Sequence, residues 1–174
     1  MNIFCCPGVL SGREARLLLG VGAGCAPQFG VKPQVPLLKG KRDATEIDME
    51  LGDLLVEAKL TESGFQQAHT RLIERYRDFE DAFDRSALPV VNGKHSGYQL
   101  IRGALAAHAT GKSFCVLLDA RRPDLTEGWF RVLRAVRYAE LRSRLKVLTW
   151  QELASTLPPE LQRFLDAKYG ILPH

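Results

Sequence analysis

Residues 44–60, ATEIDMELGDLLVEAKL, alternate polar and apolar side chains on both sides of a single glycine, and this pattern constrains the fold more than any other stretch. Such alternation predicts an antiparallel hairpin with strands over 44–51 and 53–60 and a turn at Leu51-Gly52. Successive side chains point to opposite faces of a strand. Glu46, Asp48 and Glu50 therefore share one face, and Asp53, Leu55, Glu57 and Lys59 share one face of the partner. A turn at Leu51-Gly52 sets Glu50 against Asp53, Asp48 against Leu55 and Glu46 against Glu57, with Asp48 on the diagonal from Glu57. The acidic faces coincide.

Opposed Cβ atoms lie about 5 Å apart, and two carboxylates at that distance repel by about 3 kcal/mol at an effective dielectric of about 20. The hairpin is unfavourable unless a cation neutralises it or a carboxyl takes a proton. Hard divalent cations take carboxylate oxygens and water as ligands, and acids converging from neighbouring strands supply that shell. Lys59 points into the same space, where an ammonium can hold a phosphate oxygen or orient a water. The plain alternative is a strand with a wet outer face and a surface ion pair between Glu57 and Lys59.

Elsewhere the pattern is that of an α/β chain. Ser11-Gly12-Arg13-Glu14 matches a capping box and predicts a short helix to Leu19, stopped by Gly20. A brief strand is expected within 33–41. Phe65, His69, Leu72, Tyr76, Phe79 and Phe83 recur at helical spacing and predict a long helix over 62–84. After residue 94 come a helix at 96–109, a continuous apolar strand at 113–119, a helix over 125–143, a strand at 146–150 and two short helices around Pro158-Pro159. Residues 1–43 read as an irregular N-terminal segment with a short helix, and 44–174 as the main part of a single domain.

Asp48 followed nine residues later by Glu57-Ala58-Lys59 resembles the D...(D/E)-x-K signature of the PD-(D/E)XK nuclease superfamily. The resemblance implies a restriction endonuclease-like α/β fold, a three-layer core with a mixed β-sheet flanked by helices. Its order is a helix, a three-strand meander, a second helix and a fourth strand parallel to the third. Here those parts are the helix at 12–19, strands near 34–38, 44–51 and 53–60, the helix at 96–109 and the strand at 113–119. Tyr98-Gln99-Leu100-Ile101-Arg102 is similar to the glutamine-bearing helix motif of the RecB-like branch.

The resemblance further implies a metal-dependent nuclease acting on phosphodiester bonds, in DNA before RNA. Asp48 and Glu57 would bind Mg²⁺ or Mn²⁺, with Glu46 as a further ligand and Lys59 and Gln99 as catalytic groups. The superfamily often adds an acid from its first helix, for which Glu14 stands as candidate beside its capping reading. Two departures are visible: Ile47 precedes the first acid in place of proline, and the helix expected over 62–84 is an insertion. The same fold with a dead site, binding nucleic acid or a protein partner, is the rival expectation.

Charge agrees with an anionic partner without requiring one. The formal net charge is +4, and residues 121–146 hold seven arginines and one lysine against three acids. Arg102, Arg121 and Arg122 are the expected phosphate contacts; for Arg121 and Arg122 the alternative is pairing with Asp119 and Asp124. The four cysteines form no C-x-x-C pair, which argues against a zinc knuckle or a disulfide frame. GVGAGC at 20–25 and Gly111-Lys112-Ser113 each lack a glycine of a phosphate-binding loop. No apolar run reaches the length of about 18 residues that a membrane span needs, so a cytoplasmic chain is expected, with a homodimer left open.

Overall fold

The computed structural model describes residues 2–6 and 8–173. Along the chain come α1 (Arg13–Leu19), β1 (Pro27–Val31), β2 (Val35–Pro36), β3 (Arg42–Asp43), β4 (Ile47–Leu51) and β5 (Leu54–Ala58). Then follow β6 (Gln67–His69), α2 (Thr70–Ile73), α3 (Phe79–Ala82), β7 (Val90–Val91), β8 (Lys94–Ser96) and α4 (Tyr98–Thr110). The last elements are β9 (Ser113–Leu118), α5 (Pro123–Arg134), α6 (Ala139–Ser143), β10 (Leu145–Thr149), α7 (Trp150–Ser155) and α8 (Pro159–Tyr169).

The main sheet has the order β1-β4-β5-β9-β10. β1, β4 and β5 form an antiparallel meander, and β9 and β10 continue it in parallel. Leu55, Phe114, Val116 and Leu118 face one buried cluster with α3, α4, α5 and α6. Val56, Cys115 and Leu117 face another with residues of α1, α7 and α8. A mixed sheet thus lies between two helical layers, the three-layer arrangement anticipated above. The β9 run is apolar throughout because both its faces are covered. Burial also pushes the Cys115 thiol up to about 12.

Five local expectations are corrected. The first meander strand is β1, not a strand near 34–38; PQFGV is an exposed edge strand without alternation, while Val35 and Leu37 drop into the core. The hairpin turn is Gly52-Asp53, with Leu51 paired to Leu54 and Glu50 to Leu55. Gly52, at φ +56°, takes the first turn position, which a side chain would strain. The resulting register shift is two residues, so every side chain keeps its face.

The helix expected over 62–84 is broken into β6, α2 and α3. Gln66 at φ +56° ends any helical path, β6 pairs with β8, and Phe65, Ile73, Tyr76, Phe79 and Phe83 reach the core from separate short elements. The helix over 125–143 likewise splits, because residues 135–137 leave it to bond Ala82 and Asp84. At α1 the cap is Gly12 without a side-chain bond, whereas Thr149 and Glu152 form the chain's capping box at α7.

Candidate active site

The β4/β5 ladder stops at Met49 and Val56. Beyond it, Asp48 accepts the Ala58 N–H at 2.8 Å, and the Glu46 carbonyl accepts from Arg102 at 2.8 Å. A carboxylate and a guanidinium thus occupy backbone groups that the diverging strands leave open. Continuing the register by one residue sets Asp48 across from Glu57, where the expected Leu51-Gly52 turn had set Glu46. The shift brings the two signature acids together.

Glu57 is buried, and its Oε1 accepts from Lys59 Nζ at 3.0 Å and from Gln99 Nε2. Arg102 Nη2 stands 4.0 Å from Oε2. Burial raises the Glu57 pKa and the Asp48 charge adds to it, while Lys59 and Arg102 oppose. Lys59 is itself held on both sides, its N–H donating to the Leu117 carbonyl and its carbonyl accepting from Trp150 Nε1.

Two other acids on this face are already paired. Glu46 pairs with Lys32 at 3.5 Å on the outer side, and Glu50 pairs with Lys112 at 2.7 Å. Among the described residues Asp48 has no ion pair, and it is the more exposed of the two facing acids. Asp48, Glu57, Lys59, Gln99 and Arg102 therefore converge, while the Glu46 side chain turns away. Glu14 is exposed on α1. Among the described residues no three His, Cys, Asp or Glu side chains converge on one point, so any ion here rests on two carboxylates, backbone carbonyls and water.

Arg121 and Arg122 are drawn into the fold. Arg121 grips Asp119 with Nε and Nη2 and reaches the carbonyls of Tyr169 and Gly170; Arg122 binds Asp124 and the carbonyls of Glu62 and Ser63. The Arg121 hydrogen bonds hold Asp119 down to about 2. A lowered carboxyl stabilises the native state above its unfolded value and loses that contribution as pH falls from 3.8 towards about 2. Asp119→Asn should therefore cost about 1 to 2 kcal/mol at neutral pH, a figure reduced because Arg121 is half in solvent. The gap to the unsubstituted protein should close below pH 3.8 in urea titrations; a gap constant with pH would exclude the pairing.

A second polar chain escaped the sequence reading. Arg102 lies over the Tyr98 ring at 5.9 Å, Tyr98 meets the Tyr76 hydroxyl at 3.1 Å, and Tyr76 donates to buried Asp43. Burial pulls Asp43 up, but Thr45, Tyr76 and Arg102 outweigh it and leave the carboxyl below its ordinary value. Tyr98 lies inside the glutamine-bearing helix motif; Tyr76 falls on the apolar stripe at helical spacing, and nothing in the sequence marks Asp43.

The family described as Restriction Endonuclease associating with ARP matches residues 1–170. The chain belongs to that family. The match is consistent with the PD-(D/E)XK resemblance and with the sheet described above. No curated protein and no solved structure gives a match. Among the described residues of this restriction endonuclease-like chain, no helix is long and apolar enough to cross a membrane.

Proposed function

We propose that the protein is a divalent-metal-dependent nuclease that hydrolyses phosphodiester bonds in DNA. The observation that carries the reading is Asp48, an acid with no ion pair among the described residues, set against buried Glu57 with Lys59 in the same space. Two hard oxygen donors facing each other fit Mg²⁺ or Mn²⁺, and among the described residues Asp48 keeps one carboxylate oxygen free of protein partners. Bound there, such an ion supplies an acidified water and positive charge against the phosphate.

The chain's own groups supply the rest. Lys59 places a point charge where a phosphate oxygen or the attacking water would lie. Gln99 fixes the Glu57 carboxylate through its amide nitrogen, and its Oε1 is buried without a partner, an acceptor suited to a water. Arg102 Nε is likewise buried and unsatisfied, a donor suited to a phosphate oxygen. Arg121 and Arg122 act through the loops they anchor, with their outer faces adding to the basic surface. The family description names association with ARP, and the basic face of α5, with Arg131 and Arg134 in its last turn, offers a surface for nucleic acid or for that partner.

Purified protein incubated with plasmid, linear and single-stranded DNA should cleave only with Mn²⁺ or Mg²⁺. Asp48→Asn should slow cleavage by about 10² to 10³-fold. Mn²⁺ should also raise the melting temperature of the unsubstituted protein and not that of Asp48→Asn, because an ion bound only by the native state stabilises it. DNA binding with neither cleavage nor a melting shift would leave the rival, an inactive nuclease-fold module.

A further inference from the structure

Beside the acidic site lies a second feature that the proposed chemistry does not use, a cleft of about 440 Å³. Two of its walls come from the segments that carry the site: the loop after Lys59, which supplies Ser63, Gln66 and Gln67, and the turn before Gln99, which supplies Ser96 and Gly97. They are tied together, since the Phe65 and Gln66 carbonyls accept the first N–H groups of α4 and Arg122 binds the Ser63 carbonyl. Gln66 adopts φ +56° to aim its carbonyl at that helix. α5 forms the third wall.

The chemistry of the lining selects a ligand. Its charged members are neutralised by neighbours, Asp124 by Arg122 and Arg131 by Glu127. The polar side chains of Ser63, Gln66, Gln67 and Ser96 make no hydrogen bond among the described residues. Gln67 and Ser96 are opposed in the β6/β8 register, so an amide and a hydroxyl stand side by side on one face. Phe65, Pro89 and Leu125 add flat or apolar walls. A neutral set of donors and acceptors between apolar walls suits a nucleobase better than a phosphate. The adenine edge offers the donor and acceptor that a glutamine amide matches in pairs.

Resting on the nuclease reading, we propose that this cleft receives a base of the substrate next to the cleaved bond, with Gln67 and Ser96 reading its edge and adenine preferred. Selection from a randomised DNA duplex pool, in EDTA so that nothing is cut, tests it. The unsubstituted protein should enrich adenine about tenfold at one position, and Gln67→Ala and Ser96→Ala should flatten that position alone. Gln67 is exposed on a short strand, so its truncation leaves the core intact. Binding without base preference, a preference unchanged in both variants, or a uniform loss across all sequences would overturn the subsite. No binding of any DNA by the unsubstituted protein, either in EDTA or with Ca²⁺ in place of EDTA, would instead overturn the nuclease reading on which it stands.

Discussion

Replacing Gly103 by alanine should destabilise the protein, against the usual sign for that change within a helix. In a helix interior alanine gains about 1 kcal/mol over glycine. Here a Cβ would lie 2.5 and 2.6 Å from two ring carbons of Phe114, with the ring's far carbon closer still. The ring is confined by Trp129, whose centroid is 6.0 Å away, and both residues are fully buried. Overpacking of this kind costs about 1 to 3 kcal/mol before the propensity gain is subtracted, and relief requires α4 to lift from β9. That motion carries Gln99 away from Glu57 and Arg102 away from the Glu46 carbonyl, so cleavage should fall further than stability does. Gly103→Ala combined with Phe114→Leu should recover much of both. A single variant that melts at or above the unsubstituted protein would show that the helix does not depend on this close approach.

The same contact shows where the sequence could be read and where it could not. The hairpin, the buried β9 run and α4 announce themselves because alternation, continuous apolarity and helical periodicity are local properties of a few successive residues. The hairpin's register was not local: Leu51-Gly52 and Gly52-Asp53 are equally short turns, and the choice rests on Gly52 taking the positive-φ position while Leu51 is buried. Phe65 to Phe83 had helical spacing, yet that spacing also serves separate elements once β8 offers Gln67–His69 a partner. Asp48, Glu57, Lys59, Gln99 and Arg102 could be named because they belong to two compact motifs. Asp43 and Tyr76 could not, because their meeting depends on how residues 35–43 and 70–83 fold over α4.

Lys59→Met should give a functional loss as large as that of Asp48→Asn, since it removes one charge at the point where the site's electrostatics balance. The methionine side chain keeps most of the buried volume, and the backbone of residue 59 stays fixed by Leu117 and Trp150, so the sheet has no cause to move. What changes is Glu57, already pushed up by burial and by Asp48, which loses both the charge and the hydrogen bond of its nearest cation. Removing one partner of a buried pair costs about 3 kcal/mol, because the remaining charge keeps only the more distant Arg102 and the Gln99 amide. Cleavage should drop by about 10² to 10³-fold through loss of a donor at the reacting phosphate. Mn²⁺ should then raise the melting temperature of Lys59→Met by more than it raises that of the unsubstituted protein, an ion between Asp48 and Glu57 making good part of the missing positive charge. Undiminished cleavage, or a melting temperature indifferent to Mn²⁺ in both proteins, would remove Lys59 from the chemistry and leave it as a buried partner of Glu57 alone.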